Sequence, residues 1–375
     1  MVRIRSRALL GSLLLLSVAL AAACAPSAAP AGRPAAGSTP EPSAAAPAQT
    51  AATVAPAGPR QKVRYGTLNI FGDAGIFIGI EEGYFAQQGI EVELTSFDSA
   101  ANMVAPLATN QLDAGGGAPS AGLYNALRSG VNVRIVADKG HSDPTPPGFP
   151  VSIYLVRKEL VDSGRVRGVA DLKGLRFGQP AVGISPELDL VEFLRQGGLT
   201  PRDLEIVILG FPDMVPAFAN GNLDVAWIVE PFATLALNQG TVSILGYDHT
   251  VNPYHQVAVL LYSPEFSRSE LATRFMVGYL QGLRLYNDAF VKRDPTAREK
   301  VISALIKHTP VKDRALYDQM TMSALDPDGK MNLESFERQQ DYFLSTGTQQ
   351  GRVDLSQFID LQHIEAAVRQ LGPYR

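Results

Sequence analysis

Glu230 follows the apolar run Ala226-Trp227-Ile228-Val229 and stands just before Pro231. A carboxylate buried at such a place is costly unless a donor meets it. That donor is either a ligand N–H or amine, or a backbone N–H of the helix that Pro231 starts. Trp227 offers a ring for stacking on a ligand and serves equally well as core. Four further segments, 69–77, 99–102, 117–120 and 183–185, read as strand ends or helix N-termini. Free N–H groups at such ends bind polar or anionic atoms without a charged side chain. The candidate ligand-binding residues are therefore Asn69, Phe71, Asp73, Phe77, Ser99, Pro119, Ser120, Gly183, Ser185, Asp213, Trp227 and Glu230. Ser120 and Ser185 are as well suited to capping their helices as to touching a ligand.

Catalytic and metal chemistries find little support. Gly115-Gly116-Gly117 lets backbone approach closely, but no Gly-Lys-Ser/Thr follows it, so it is no phosphate loop. Gly183-Ile184-Ser185-Pro186-Glu187 lacks the second glycine of a nucleophile elbow. His141, His249, His255, His308 and His363 have no metal-ligand spacing with cysteine or carboxylate. Asp326-Pro327-Asp328-Gly329-Lys330-Met331 resembles a calcium loop with Lys330 and Met331 at the wrong places, and reads as a turn before a capped helix. Neither a catalytic residue nor a cofactor or metal is expected.

The elements that must hold these residues alternate β and α. Segments 63–68, 90–94 and 131–137 have strand character, and 76–82 and 102–109 have helix character. The class is α/β with largely parallel sheets. An internal repeat sharpens this. Met103 to Ala114 lies over Met214 to Val225 without a gap, each running through a helix, a polar turn and Leu-Asp into a strand. A second echo, in the same order, pairs Val151 to Leu160 with Val257 to Phe266. Two similar α/β lobes follow.

The N-terminus has its own grammar. Arg3, Arg5 and Arg7, an apolar run from Leu9 to Leu20, and Ala21-Ala22-Ala23 form a cleavable secretion signal over residues 1–23. The chain's single cysteine, Cys24, stands directly after it, placed for lipidation; ordinary cleavage, with Cys24 a bystander, is the alternative. Residues 24–60 are rich in Ala, Pro, Ser, Thr and Gly and read as a disordered tether. Removing residues 1–23 takes away three arginines and no acid, moving the formal charge from −4 to −7. Such a balance gives no footprint for nucleic acid.

Ile80-Glu81-Glu82-Gly83-Tyr84-Phe85-Ala86-Gln87-Gln88-Gly89-Ile90-Glu91-Val92, Asn110-Gln111-Leu112-Asp113-Ala114, Leu172-Lys173-Gly174-Leu175-Arg176-Phe177-Gly178 and Asn222-Leu223-Asp224-Val225-Ala226-Trp227-Ile228-Val229-Glu230-Pro231 resemble periplasmic binding proteins of the nitrate/sulfonate/taurine and thiamine-pyrimidine type. The resemblance covers residues 61–375. It implies a type II two-lobed fold with two crossings and a ligand cleft between the lobes, here 61–147 plus 253–375 and 148–252; the repeat sets the expected hinges near 140–150 and 247–255. It also implies a solute-binding lipoprotein of an ABC importer, a monomer whose partners are a small molecule, a permease and its ATPase, and the membrane outside the cytoplasm. Fungal pyrimidine synthases share the architecture but use a cysteine-rich motif that is absent here. The nominated segments carry no basic side chain, with only Lys139 and His141 near the first crossing, whereas Asp73, Asp98, Asp213 and Glu230 are acidic. The ligand is thus expected to be a neutral or weakly basic heteroaromatic such as a pyrimidine vitamin precursor, with an alkanesulfonate, taurine or nitrate anion as the alternative.

Overall fold

The computed structural model describes residues 59–375; the signal, the tether and Cys24 lie outside the described residues. Ten strands build two five-stranded sheets: β1 (Gln61–Thr67), β2 (Ile90–Ser96), β3 (Ala114–Gly117), β4 (Arg134–His141), β5 (Ile153–Arg157), β6 (Arg176–Gln179), β7 (Glu205–Ile208), β8 (Val225–Ile228), β9 (Val242–Tyr247) and β10 (Gln256–Tyr262). The first sheet has the order β2-β1-β3-β10-β4 and the second β7-β6-β8-β5-β9. The chain passes from one sheet to the other between His141 and Ile153 and returns between Tyr247 and Gln256. This is the two-lobed α/β fold of periplasmic binding proteins.

The two sheets share their register as well as their order. Tyr65 faces Ala114 and Gly66 faces Gly115 in the first; Phe177 faces Val225 and Gly178 faces Ala226 in the second. Both sequence echoes fall on equivalent elements, one on β3 and β8, the other on β5 and β10. The sheets are more mixed than the sequence suggested. In each, the strand that enters directly after a crossing, β10 or β5, runs antiparallel to both its neighbours. A strand arriving from the other lobe enters its sheet from the crossing edge, opposite in direction to the local βα units.

One device repeated in both lobes explains the Leu-Asp motif. Asp113 accepts from the Arg64 backbone N–H at 2.8 Å and from its guanidinium at 2.6 and 3.0 Å. Asp224 accepts from the same three groups of Arg176 at 3.1, 2.9 and 2.8 Å. Each pair clips the start of the central strand to the next one by a bidentate, charge-assisted contact. The preceding leucine packs over a glycine: a Cβ on Gly66 would lie 2.9 Å from Leu112 Cδ1, and one on Gly178 2.8 Å from Leu223 Cδ2.

Local boundaries follow capping chemistry. The helix expected over 102–109 opens as a 3-10 turn, Ala100–Met103, whose N-cap Ser99 accepts from the Ala101 N–H, and becomes α-helical at Val104–Ala108. The strand expected from 131 begins at Arg134. The segment at Asp326 is a turn, its carboxylate accepting from the Asp328 and Lys330 N–H groups. The helix beyond it, Leu333–Ser345, is not capped by Asn332, whose amide goes to the Tyr254 carbonyl instead.

Candidate functional site

The carboxyl ends of β1, β2, β3, β6, β7 and β8 and the starts of β5 and β10 all face the space between the lobes. There they enclose a cavity of about 60 Å³. This position, beyond strand ends at a switch in topology, is where open α/β sheets take ligands. Its walls are nearly all apolar. The first lobe contributes Leu68, Ile70 and Ala118, and the second Ile184, Phe211 and Trp227. Among its polar lining residues are Ser99 and Lys139.

Lys139 is the residue that sequence reasoning placed merely near a crossing. It lies on β4, its side chain 1% exposed, and its Nζ stands 2.9 Å from Asp73 Oδ1. The stem runs across the strand ends to reach that partner, and Gly116 makes room for it. A Cβ on Gly116 would be 2.3 Å from Lys139 Cε. Asp73 is itself surrounded by donors: Tyr65 Oη at 3.0 Å, Thr67 Oγ1 at 2.9 Å and the Leu68 N–H at 3.1 Å. The cavity floor therefore holds a matched charge pair. Burial, with Asp73 alongside, pushes the Tyr65 hydroxyl well above the usual tyrosine range.

Several nominated residues do not line this cavity. Asp73 is fully buried and its oxygens are used within the first lobe. Phe77 packs in the helical core, stacked on His308 with centroids 4.9 Å apart. Phe71 lies in the same core against Tyr317. Asn69 has a φ of 55° and bridges Ser96 and the His308 carbonyl. Asp213 is exposed on the first turn of Phe211–Ala219. Four of these side chains are used in packing or hydrogen bonds within the first lobe and Asp213 faces solvent, uses that the sequence pattern does not distinguish from ligand binding.

Four nominated residues close the lobes on each other. The Ala121 N–H donates to the Gly183 carbonyl at 2.8 Å, and the Ser185 N–H to the Pro119 carbonyl at 3.0 Å, giving a short antiparallel bridge between Ser120 and Ile184. Gly183 holds a φ of 72°, the left-handed conformation that favours glycine. Ser120 Oγ is a cap, accepting from the Leu123 N–H at 3.1 Å. Ser185 Oγ is not a cap; it donates to the Val257 carbonyl of β10 at 2.7 Å.

Glu230 joins this closure from the other end. Its carboxylate caps Phe232–Asn238 by accepting from the Thr234 N–H at 3.1 Å and hydroxyl at 2.9 Å. It also accepts from the Thr321 N–H at 3.2 Å, and its carbonyl accepts from the Phe71 N–H at 3.1 Å. Burial outweighs these donors and raises the carboxyl to about 7. Trp227 lines the cavity, edge-on to Phe211 at 5.4 Å, and its indole N–H finds no acceptor among the described residues. Among the described residues no group of His, Cys, Asp and Glu is arranged to hold a metal ion. No helix among them is long and apolar enough to cross a membrane.

Comparison with known proteins places this architecture. No curated protein matches the sequence at a significant level. Among solved structures, the alkanesulfonate-binding protein SsuA of Xanthomonas axonopodis pv. citri, bound to MOPS, is similar with a TM-score of 0.63 at 18% identity, over 81% of this chain and 100% of that one. The periplasmic nitrate-binding protein NrtA of Synechocystis PCC 6803 aligns with a TM-score of 0.67 at 12% identity, over 84% and 89%. The desulfurization enzyme DSZB aligns at 0.56 and 17%, over 83% and 100%, so the same fold also carries an enzyme. These likenesses establish the fold. The profile of the NMT1-like family matches residues 56–281, and the chain belongs to the NMT1-like family.

Proposed function

We propose that this chain is the extracytoplasmic solute-binding component of an ABC importer, which captures a small uncharged solute between its lobes and presents it to a permease. The observation that carries this reading is the cavity itself: both lobes line it, apolar side chains dominate it, and backbone hydrogen bonds between 119–121 and 183–185 close one side. At about 60 Å³ it holds only a few waters. A ring-sized solute needs more room than this, so it would enter with the lobes apart and be held by lobes closed less far than in this structure. A heteroaromatic ring such as a pyrimidine vitamin precursor suits walls formed by Trp227 and Phe211, and the free indole N–H would meet one acceptor on it.

A thermal-shift and calorimetric screen tests this reading. Pyrimidines and other neutral heteroaromatics should raise the melting temperature, and small-angle scattering should show the radius of gyration falling on saturation. A rise with nitrate or alkanesulfonates only would replace the ligand class, while an unchanged radius would remove the closure step. Anchoring through Cys24 belongs to the same proposal. Cys24→Ala should shift the protein from the membrane fraction to the soluble one with affinity unchanged, and equal partition of both forms would refute it.

A further inference from the structure

We infer that Asp73 sets the charge selectivity of the cavity, cancelling the charge of Lys139 so that the site accepts uncharged solutes and rejects anions. The inference rests on the solute-binding reading and adds to it the residue that decides the ligand's charge. Lys139 is a cationic residue of the cavity wall, and an ammonium in an apolar, nearly closed space would bind almost any small anion. Its counter-charge is supplied from within. Asp73 Oδ1 lies 2.9 Å from Nζ with both side chains out of water. Tyr65, Thr67 and the Leu68 N–H take the remaining acceptor capacity of the carboxylate, fixing it where it cannot swing away. An incoming sulfonate or nitrate would have to compete with a fixed carboxylate for Nζ while lying against it, a like-charge contact in a low-dielectric space. A neutral acceptor meets no such repulsion.

The other charged and titratable groups nearby do not alter this balance. Asp138, on the same strand, is turned to Gln256, Gly140 and the Asp326 N–H. His141 faces Asp138 at 3.2 Å. Glu230 is bound to Thr234 and Thr321. Lys139 and Asp73 thus form a self-contained pair.

The test is a gain of function. Asp73→Asn frees the ammonium and should give measurable binding of sodium nitrate and sodium ethanesulfonate, tightened about tenfold or more over wild type, the change worth one charge-assisted contact. Calorimetry and thermal shift would be run at constant ionic strength set with sodium gluconate. The double variant Asp73→Asn with Lys139→Met should lose that gain. Lys139→Met alone keeps three donors on Asp73 and guards against misfolding of the asparagine variant; it should gain stabilisation by methylammonium that wild type lacks. Nitrate or ethanesulfonate binding equally to wild type and Asp73→Asn, or a folded Asp73→Asn with no anion response, would overturn the inference, as would Lys139→Met without a methylammonium response. If Asp73→Asn gains anions while wild type binds no pyrimidine, the charge rule stands and only the ligand class of the proposed function falls.

Discussion

Gly116 in the first sheet and Trp227 in the second occupy the same place. Each is the third residue of its strand, β3 or β8, and each sits opposite the strand that arrives from the other lobe, facing Leu260 and Tyr154 respectively. Around them the sheets agree in order, in register, in the Arg-Asp clip and in the glycine under the leucine. At this one position they diverge completely. Glycine clears a path for the Lys139 stem and so admits a charge pair to the floor; tryptophan fills its space and makes an apolar wall. The same contrast recurs three residues on, where Pro119 lends a carbonyl to the bridge and Glu230 lends a carboxylate to Thr321. The scaffold is duplicated, and the binding character comes from what stands at its strand ends.

The largest expected effect comes from forcing the two positions to agree. Gly116→Ala places a methyl within 2.3 Å of Lys139 Cε. The lysine must leave, and Asp73 stays buried without its cation, a loss of about 3–4 kcal/mol by urea denaturation. A value near zero would mean the lysine has another route to Asp73. The clips come next. Asp224→Ala should cost about 3 kcal/mol, because Asp224 is nearly buried and also holds Arg157 at 3.0 Å. Asp113→Ala should cost about half as much, roughly 1.5 kcal/mol, since the Arg64 side chain is 44% exposed. Equal losses would show that burial does not separate the two clips.

Glu230 distinguishes the lobes by pH. Its carboxyl is raised from an ordinary 4.5 to about 7, so folding takes up a proton between those values. Its contribution is therefore complete below about 4.5 and is lost as pH rises toward 7. Glu230→Gln should flatten the fall in stability across that window, by on the order of 2 kcal/mol, measured as denaturation midpoints at pH 5 and pH 8 in both proteins. Parallel curves for the two would refute the assignment. The smallest effects separate two serines. Ser120→Ala removes a helix cap and should lower stability by about 1 kcal/mol in any state. Ser185→Ala breaks a contact to β10 worth about 1 kcal/mol, so it should shift scattering of the ligand-free protein toward a larger radius of gyration if that contact belongs to closure.

The repeat, the alternation of elements and the family's motifs were legible in the chain because each is local. Leu-Asp before a buried strand, glycine in a turn and period-2 spacing are all written within a few residues. A third echo was legible too: Val63-Arg64-Tyr65-Gly66 matches Leu175-Arg176-Phe177-Gly178, and it carries the partners of both aspartates. Ser99 and Trp227 were nominated from their place at strand ends or helix starts, and both line the cavity. Lys139 was not, because its reach depends on Gly116 leaving space two strands away. Glu230 was legible as an acid needing a donor, and Asp73 as a polar strand-end residue; beside their local donors, each also takes one that is remote in the chain, Lys139 for Asp73 and Thr321 for Glu230, 66 and 91 residues distant. The sequence alone thus determined two similar α/β units with polar strand ends. Tertiary packing decided which of those ends face a ligand and which face each other, since a buried charge is satisfied by whatever donor the fold brings within about 3 Å, and that neighbour is set by packing across strands and lobes.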